Sequence, residues 1–478
     1  MQIYGNYDVV VVGGGVSGCA AAIAAARVGA KVILIERFGT LGGMMNVVGP
    51  PGWAFAHLWN GRGEQIIGGL VEETHHRLEA QGLALPFPAA EDCGEDTYAF
   101  VDPDWWGLLI FEMIRENHVN LLLHSLAVDV LKDGDRICGV TVENTSGRMA
   151  VMGKVIIEAT GEGDIAVRAG VPYSKVDRTK EELDPPSITF HMDGVDWDKV
   201  TAYFKARPDQ FNKKQYDRLM KSDSILDLVR AGVLGAVGYA ELTQKALDNG
   251  DLHPYGDLGH FFTHREGGHV QPVFQHSAQV KDCDTTDITE WTAGEAESRR
   301  QAAIAIRAVR KYLPGYENSY FTRLTSSMRT REGRHMAGDY QMQGPDVTEC
   351  RKFPDVVAKC MMLANSGGPF HSALTPGGSL NQNYQVRYAP KDGGSYDIPY
   401  RSLVPKQVEG MLLAGKLISV SEDFNRDLLP ENIISGQAAG VAAALCARDG
   451  DTPRELEKDV KELQAILVKQ GAILTGTH

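Results

Sequence analysis

The stretch from Tyr7 to Glu36 constrains this chain more than any other. Val9 to Val12 is an unbroken β-branched run closed by glycine, the pattern of a parallel-sheet strand covered on both faces. Gly13-Gly14-Gly15-Val16-Ser17-Gly18 follows, Val16 to Val28 reads as a helix, and Lys31 to Glu36 (KVILIE) reads as a second parallel strand. The result is one β-α-β unit with G-x-G-x-x-G at its turn. In that setting Gly13 permits the tight turn, Gly15 lets a pyrophosphate approach the main chain, and Gly18 lets the helix pack closely on the strand. Glu36, eighteen residues past Gly18, stands where a carboxylate accepts from ribose hydroxyls and repels a 2′-phosphate.

That motif resolves what composition alone leaves odd. Lys and Arg number 48 against 62 Asp and Glu, a net charge of −14, and 52 of the 478 residues are Gly. Acidic balance excludes nucleic acid as a partner. Two phosphates are no difficulty, because backbone N–H groups and a helix N-terminus hold them. Seven cysteines carry no C-x-x-C pair, so no metal site is expected, and free thiols in a cytoplasmic protein are the simplest reading. The apolar stretch Val9 to Ala26 is broken by three consecutive glycines, so no membrane span is expected, and the N-terminus lacks a basic run of the signal-peptide kind.

Further along, a helix is expected at Gly68 to Gln81 and a tryptophan-bearing one at Asp104 to Glu116, with Trp105 and Trp106 read as core. From Asn120, LLLHSLAVDVLK, RICGVTVEN and RMAVMGKVIIEA are separated by DGD and SG turns and read as an antiparallel meander closing on a further strand, Val155 to Glu158. Helices at Asp198 to Ala206, Lys213 to Ala231 and Thr292 to Tyr312 follow, around a loop-rich tract from Asn249 to Gln279. A last strand, Gly410 to Ala414, precedes a small-residue helix, Glu431 to Ala447. The fold class is therefore α/β: a Rossmann-type domain with a β-meander, interrupted by a large α+β substrate-covering domain. The expected division is 1–174 and 396–478 for the dinucleotide-binding domain and 175–395 for the insertion.

GGGVSGCAAAIAAARVGAKVILIE with LGGMM, then IIEATGEGDIAVRAGVPY, TREGRHMAGDY, YDIPYRSLVPK, MLLAGKLIS and NIISGQAAGVAAALCA occur in that order. Together they resemble the FAD-dependent oxidoreductases related to the fumarate reductase and succinate dehydrogenase flavoproteins, on a glutathione-reductase-type FAD fold. The resemblance implies FAD, with Gly13, Gly15, Val16, Ser17, Gly18, Glu36, Arg37, Gly42, Gly43 and Met44 on the ADP and pyrophosphate side. It likewise implies Val128, Thr160, Gly161, Asp164, Gly415, Asn432 and Ile433 as further cofactor contacts. Several relatives attach flavin covalently through a His near the second glycine loop. None lies between Gly42 and Gly52 and His57 is out of position, so the FAD is expected to be non-covalent. Many relatives carry Asp after the glycine of the last strand to hold the ribityl chain; here Lys416 follows Gly415, so that contact must come from elsewhere. The first turn of the last helix, Glu431 to Ser435, would aim backbone N–H groups at the flavin, with Gly436 and Gly440 keeping the helix slim against cofactor or sheet.

A flavin carries the redox chemistry, so the protein must place a substrate and move a proton. Five of the fourteen His fall at 253, 260, 264, 269 and 276. His269, His276, Arg331 and His371 are the catalytic candidates, with Arg329 and Arg334 beside Arg331 able to bind carboxylate through guanidinium fork geometry. The expected activity is hydride transfer between flavin N5 and a small organic substrate, anionic if the arginines serve it. Flavin monooxygenation and an electron-transfer subunit are the alternatives, and a homo-oligomer or redox partner is left open.

Overall fold

The computed structural model describes residues 1–48, 55–88, 93–94, 97–180, 183–210, 217, 224–230, 232, 235–236, 239–361, 364–365, 386–422 and 429–478. Its central sheet begins with β1 (Gln2–Val12), followed by helix α1 (Val16–Arg27) and β2 (Val32–Ile35). After helices α2 (Leu70–Glu79) and α3 (Pro103–Glu116) come β3 (Asn120–Leu122), β4 (Leu126–Asp133), β5 (Arg136–Asn144) and β6 (Gly147–Glu158), then helix α4 (Asp164–Ala169). The strand order is β3-β2-β1-β6-β5-β4. β1 pairs in parallel with β2 and β6, and β3 pairs in parallel with β2. This is the mixed sheet of a Rossmann-type dinucleotide-binding domain.

Two expectations need correction here. Asn120–Leu122 is an edge strand of the parallel sheet rather than the first arm of the meander. β6 is one continuous strand: its first half completes the meander with β5 while already pairing in parallel with β1, and Val155–Glu158 continues that pairing with β1. Gly153 lets it run on beside β1, since a Cβ there would lie 2.5 Å from Val10 Cγ2.

The inserted region builds its own five-stranded antiparallel sheet. Its members are β7 (Phe190–Asp193), β8 (Gly235–Ala236), β9 (His260–Arg265), β10 (His269–Phe274) and β11 (Tyr320–Leu324), in the order β8-β9-β10-β7-β11. Helix α5 (Trp197–Ala206) and the long helix α6 (Ile288–Tyr312) pack with it around a separate apolar core that includes Phe190, Phe262, Phe274 and Tyr316. Asp287 caps α6 by accepting from the backbone of Thr289 and Glu290, which starts the helix a turn before the expected Thr292. The tract read as loop-rich holds the β9–β10 hairpin, because Gly267 and Gly268 (φ 78° and 77°) supply a left-handed turn between two largely buried strands. The expected helix Lys213 to Ala231 falls largely outside the described residues; within them it runs Ile225–Arg230.

The chain is back on the first domain from Met336, with Met342, Val357 and Ile398 in its core, before β12 (Met411–Leu413), parallel to β6, and helix α7 (Leu429–Asp449). α7 lies against α1. A Cβ on Gly436 would meet Ser17 O at 2.2 Å, and one on Gly440 would meet Ala21 O at 2.1 Å, so bare α-carbons allow the backbones to touch. Only Trp106 of the tryptophan pair is core; Trp105 is at the surface and donates to Glu266. No helix among the described residues is long and apolar enough to cross a membrane.

Candidate cofactor and active site

The three motif glycines meet three different surroundings. Gly13 (φ 103°) turns the chain out of β1, and a Cβ there would lie 2.4 Å from Ala159 O. A Cβ on Gly18 would lie 1.8 Å from Gly13 O, so the first turn of α1 closes on the strand only without a side chain. At Gly15 a Cβ would meet nothing within 4 Å. That open side faces a cleft enclosing about 950 Å³ of atom-free space, partly continuous with solvent.

Distant parts of the chain converge on this cleft. Gly13, Gly15, Val16 and Ser17 line it from the motif, Glu36, Arg37 and Phe38 from the end of β2, and Gly43, Met44, Val47 and Val48 from the second glycine loop. Ala159 to Glu162 line it from the end of β6, and Ala414, Lys416 and Asn432 from β12 and α7. The inserted region contributes Trp291, Ser327, Met328 and Thr330.

Glu36 is held by two backbone donors, Gly14 N at 2.6 Å and Phe38 N at 2.8 Å, and its burial raises its pKa despite these bonds. The Arg37 guanidinium sits 4.9 Å from the Phe38 ring and 5.8 Å from Trp291, so the inserted domain reaches the Glu36 end of the cleft. Gly42 (φ 104°) donates to Gly14 O at 2.8 Å and positions Gly43 and Met44. At the other end, Gly161 (φ 88°) again has open space where a Cβ would be. Buried Glu158, which sequence reasoning passed over, accepts from Thr160, Ile165 and Ala166 N at 2.8 Å each and fixes the β6–α4 turn.

The cleft fits FAD on this structure's own evidence. Gly15 and Gly161 leave room for a ligand to touch backbone, and among the described residues Asn432 Oδ1 and Glu162 Oε2 are buried without a hydrogen-bond partner. Such groups are costly unless something pairs with them.

Not every expected contact is at the cleft. Gly18, Gly42, Gly415 and Ile433 stand behind its wall; Gly415 (φ 68°) abuts Ser17, where a Cβ would lie 2.6 Å from Oγ. Asp164 starts α4 and pairs with Arg334 at 3.1 Å. Val128 belongs to the meander and does not line the cleft. Of the residues missed by sequence reasoning, Trp291 comes from the inserted region with no local motif, and Thr330 opens the TREGRHMAGDY segment in which only the arginines were singled out.

Among the catalytic candidates, His276 and Arg331 are brought together, both buried, with Nε2 and Nη2 3.5 Å apart. Gln275 joins them, its amide oxygen accepting from Arg331 Nη2 and Arg329 Nη1 at 2.8 Å each. His269 lies elsewhere, on the exposed start of β10, where it pairs with Asp193 at 3.0 Å and lines a different surface cleft with Trp197. His371 lies outside the described residues. His260 faces into the inserted domain's interior, its Nε2 meeting the Tyr316 hydroxyl at 2.8 Å, and His264 is buried against the backbone of Leu83.

The family model for FAD dependent oxidoreductases matches residues 8–467. A digeranylgeranylglycerophospholipid reductase from Picrophilus torridus is 30% identical over 165 residues, 33% of this chain and 39% of the relative, so the match spans well under half of that protein. Among solved structures, a geranylgeranyl bacteriochlorophyll reductase-like protein from Thermoplasma acidophilum aligns at 12% identity with a TM-score of 0.44, covering 98% of this chain and 88% of its own. A p-nitrophenol 4-monooxygenase from Pseudomonas putida aligns at 10% identity with a TM-score of 0.45, covering 99% and 88%.

Proposed function

The chain belongs to the FAD-dependent oxidoreductase family, and from that premise we propose that it passes a hydride between a small organic substrate and FAD, by dehydrogenation or by reduction of an activated alkene. The observation that carries this reading is the shared cleft: Trp291, Ser327, Met328 and Thr330 of the inserted region line the same space as Gly13, Gly15 and Glu36. A substrate held by the inserted domain is thereby held against the cofactor. Bound FAD supplies the two-electron chemistry. Glu36 and Gly13 to Ser17 would hold its adenosine and pyrophosphate, and Thr160, Gly161 and Asn432 its other half.

The protein's own part is positioning and proton transfer. Arg331 is proposed to bind an anionic group of the substrate, and His276 to exchange its proton. His371 is retained as a further candidate. The reductase activity named for the Picrophilus relative supports the reducing direction over the matched third of this chain. Placement nearer the fumarate reductase branch, non-covalent FAD, the division at 174/175 and 395/396, a cytoplasmic location and a homo-oligomeric or partnered state belong to the same proposal. Free thiols at all seven cysteines support the cytoplasmic part.

Oxygen insertion is the competing reading, and anaerobic turnover separates the two. Hydride transfer predicts that, without oxygen, a substrate either bleaches the oxidised flavin or restores the absorbance of flavin reduced beforehand. Incorporation of labelled oxygen into product, coupled to NADPH consumption, would replace it.

A further inference from the structure

We propose that Glu162 is the ribityl-binding acceptor of this protein, an inference that rests on the FAD reading above. Glu162 stands between Gly161 and Gly163, both left-handed (φ 88° and 72°), so the chain turns on either side of it and projects its carboxylate from the end of β6. Two chain segments fix one oxygen. Thr330 Oγ1, from the inserted region, donates to Oε1 at 2.7 Å, and Lys416 Nζ, from the end of β12, donates to it at 2.8 Å. Arg334 Nη1 holds the backbone carbonyl of the same residue at 2.7 Å.

The other oxygen, Oε2, is buried and has no hydrogen-bond partner among the described residues. Glu162 is 7% exposed and lines the cofactor cleft. A carboxylate oxygen immobilised but left unpaired is desolvated for nothing unless a donor arrives. Its place in the cleft says which donor. Ala159, three residues earlier, packs on Gly13 at the pyrophosphate turn, so Glu162 lies one step beyond the phosphates. In FAD the next donors in line are the ribityl hydroxyls. Gly333 lies against Oε2 of Glu162, and a Cβ there would sit 2.5 Å from that oxygen and displace it.

Glu162→Gln and Gly333→Ala test this in the full chain, stripped of flavin and titrated separately with FAD and with ADP. Loss of a charge-assisted hydrogen bond predicts FAD binding about ten- to a hundred-fold weaker, with ADP binding unchanged. Retained ADP binding also shows that the variant is folded. FAD analogues lacking single ribityl hydroxyls supply the second arm: one should bind the wild type about as weakly as FAD binds Glu162→Gln, with no further loss in the variant. Unchanged FAD affinity, parallel loss of FAD and ADP, or additive losses with every analogue would overturn the assignment. A wild-type chain that binds ADP but not FAD would instead overturn the cofactor reading on which it rests.

Discussion

Gly15 and Gly18 stand three residues apart in one motif and answer to different demands. A Cβ at Gly18 would collide with Gly13 O, whereas at Gly15 it would enter open space at a residue with an ordinary φ of −69°. Gly18→Ala is therefore expected to lower the melting temperature of the apoprotein, by strain of the order of 1–3 kcal/mol. Gly15→Ala should leave that temperature unchanged and weaken FAD binding at least tenfold, because its methyl occupies space the pyrophosphate needs. Thermal melts and FAD titration of both variants check the pair. These glycines and Glu36 were legible in the sequence because their roles depend on near neighbours along the chain. Trp291 was not, since nothing within a few residues says that the inserted domain will lay it on the cleft; at Thr330 the motif drew the eye to the charged Arg331 next to it rather than to the hydroxyl that lines the cleft.

At the scale of elements, the contact between α1 and α7 decides how firmly the last helix sits at the cleft. Gly436 and Gly440 lie one turn apart and face Ser17 and Ala21 of α1, so the same close approach that sets Asn432 at the cleft depends on bare glycine. Gly440→Ala should push the helices apart, cost about 1–3 kcal/mol and lower the melting temperature. An unchanged melt would show that the helices already have slack. The sequence shows this helix and most strands plainly, because their β-branched runs and turns are local. It misleads where pairing is decided elsewhere: Asn120–Leu122 joins the parallel sheet through β2, and the β9–β10 hairpin hides behind glycine and histidine that read as loop.

At the scale of the molecule, the inserted domain is joined to the dinucleotide domain by charge and cored by neutral histidine. Arg265 and Arg323 reach Asp104 at 2.8 and 2.6 Å, and Ser326 N donates to Val47 O beside the cleft at 2.8 Å. Within the domain, burial pushes the pKa of His191 down to about 4, His260 to about 3 and His264 to about 4. Below an unfolded value near 6.5 the unfolded chain binds protons that the folded one refuses. Stability is thus full above about pH 6.5 and falls as pH drops toward 4, by about 1.4 kcal/mol per pH unit for each of the fully buried His191 and His260. Melting temperature measured from pH 7 to 5 should decline, and the decline should shrink when His191 or His260 is replaced by Gln; a flat profile would refute neutral burial. The acidic composition foretold none of this, since its −14 is spread over a surface while the three imidazoles lie inside.

The central claim is that one cleft, roofed by the inserted domain, binds FAD. Titrating the flavin-free chain with FAD while following flavin fluorescence tests it directly. Saturation is expected at one FAD per chain, with binding at least tenfold weaker in Gly15→Ala and no comparable binding of FMN, which lacks the adenosine proposed to lie by Glu36 and Arg37. A chain that leaves FAD fluorescence unchanged, or that binds FAD and FMN equally well, would contradict it.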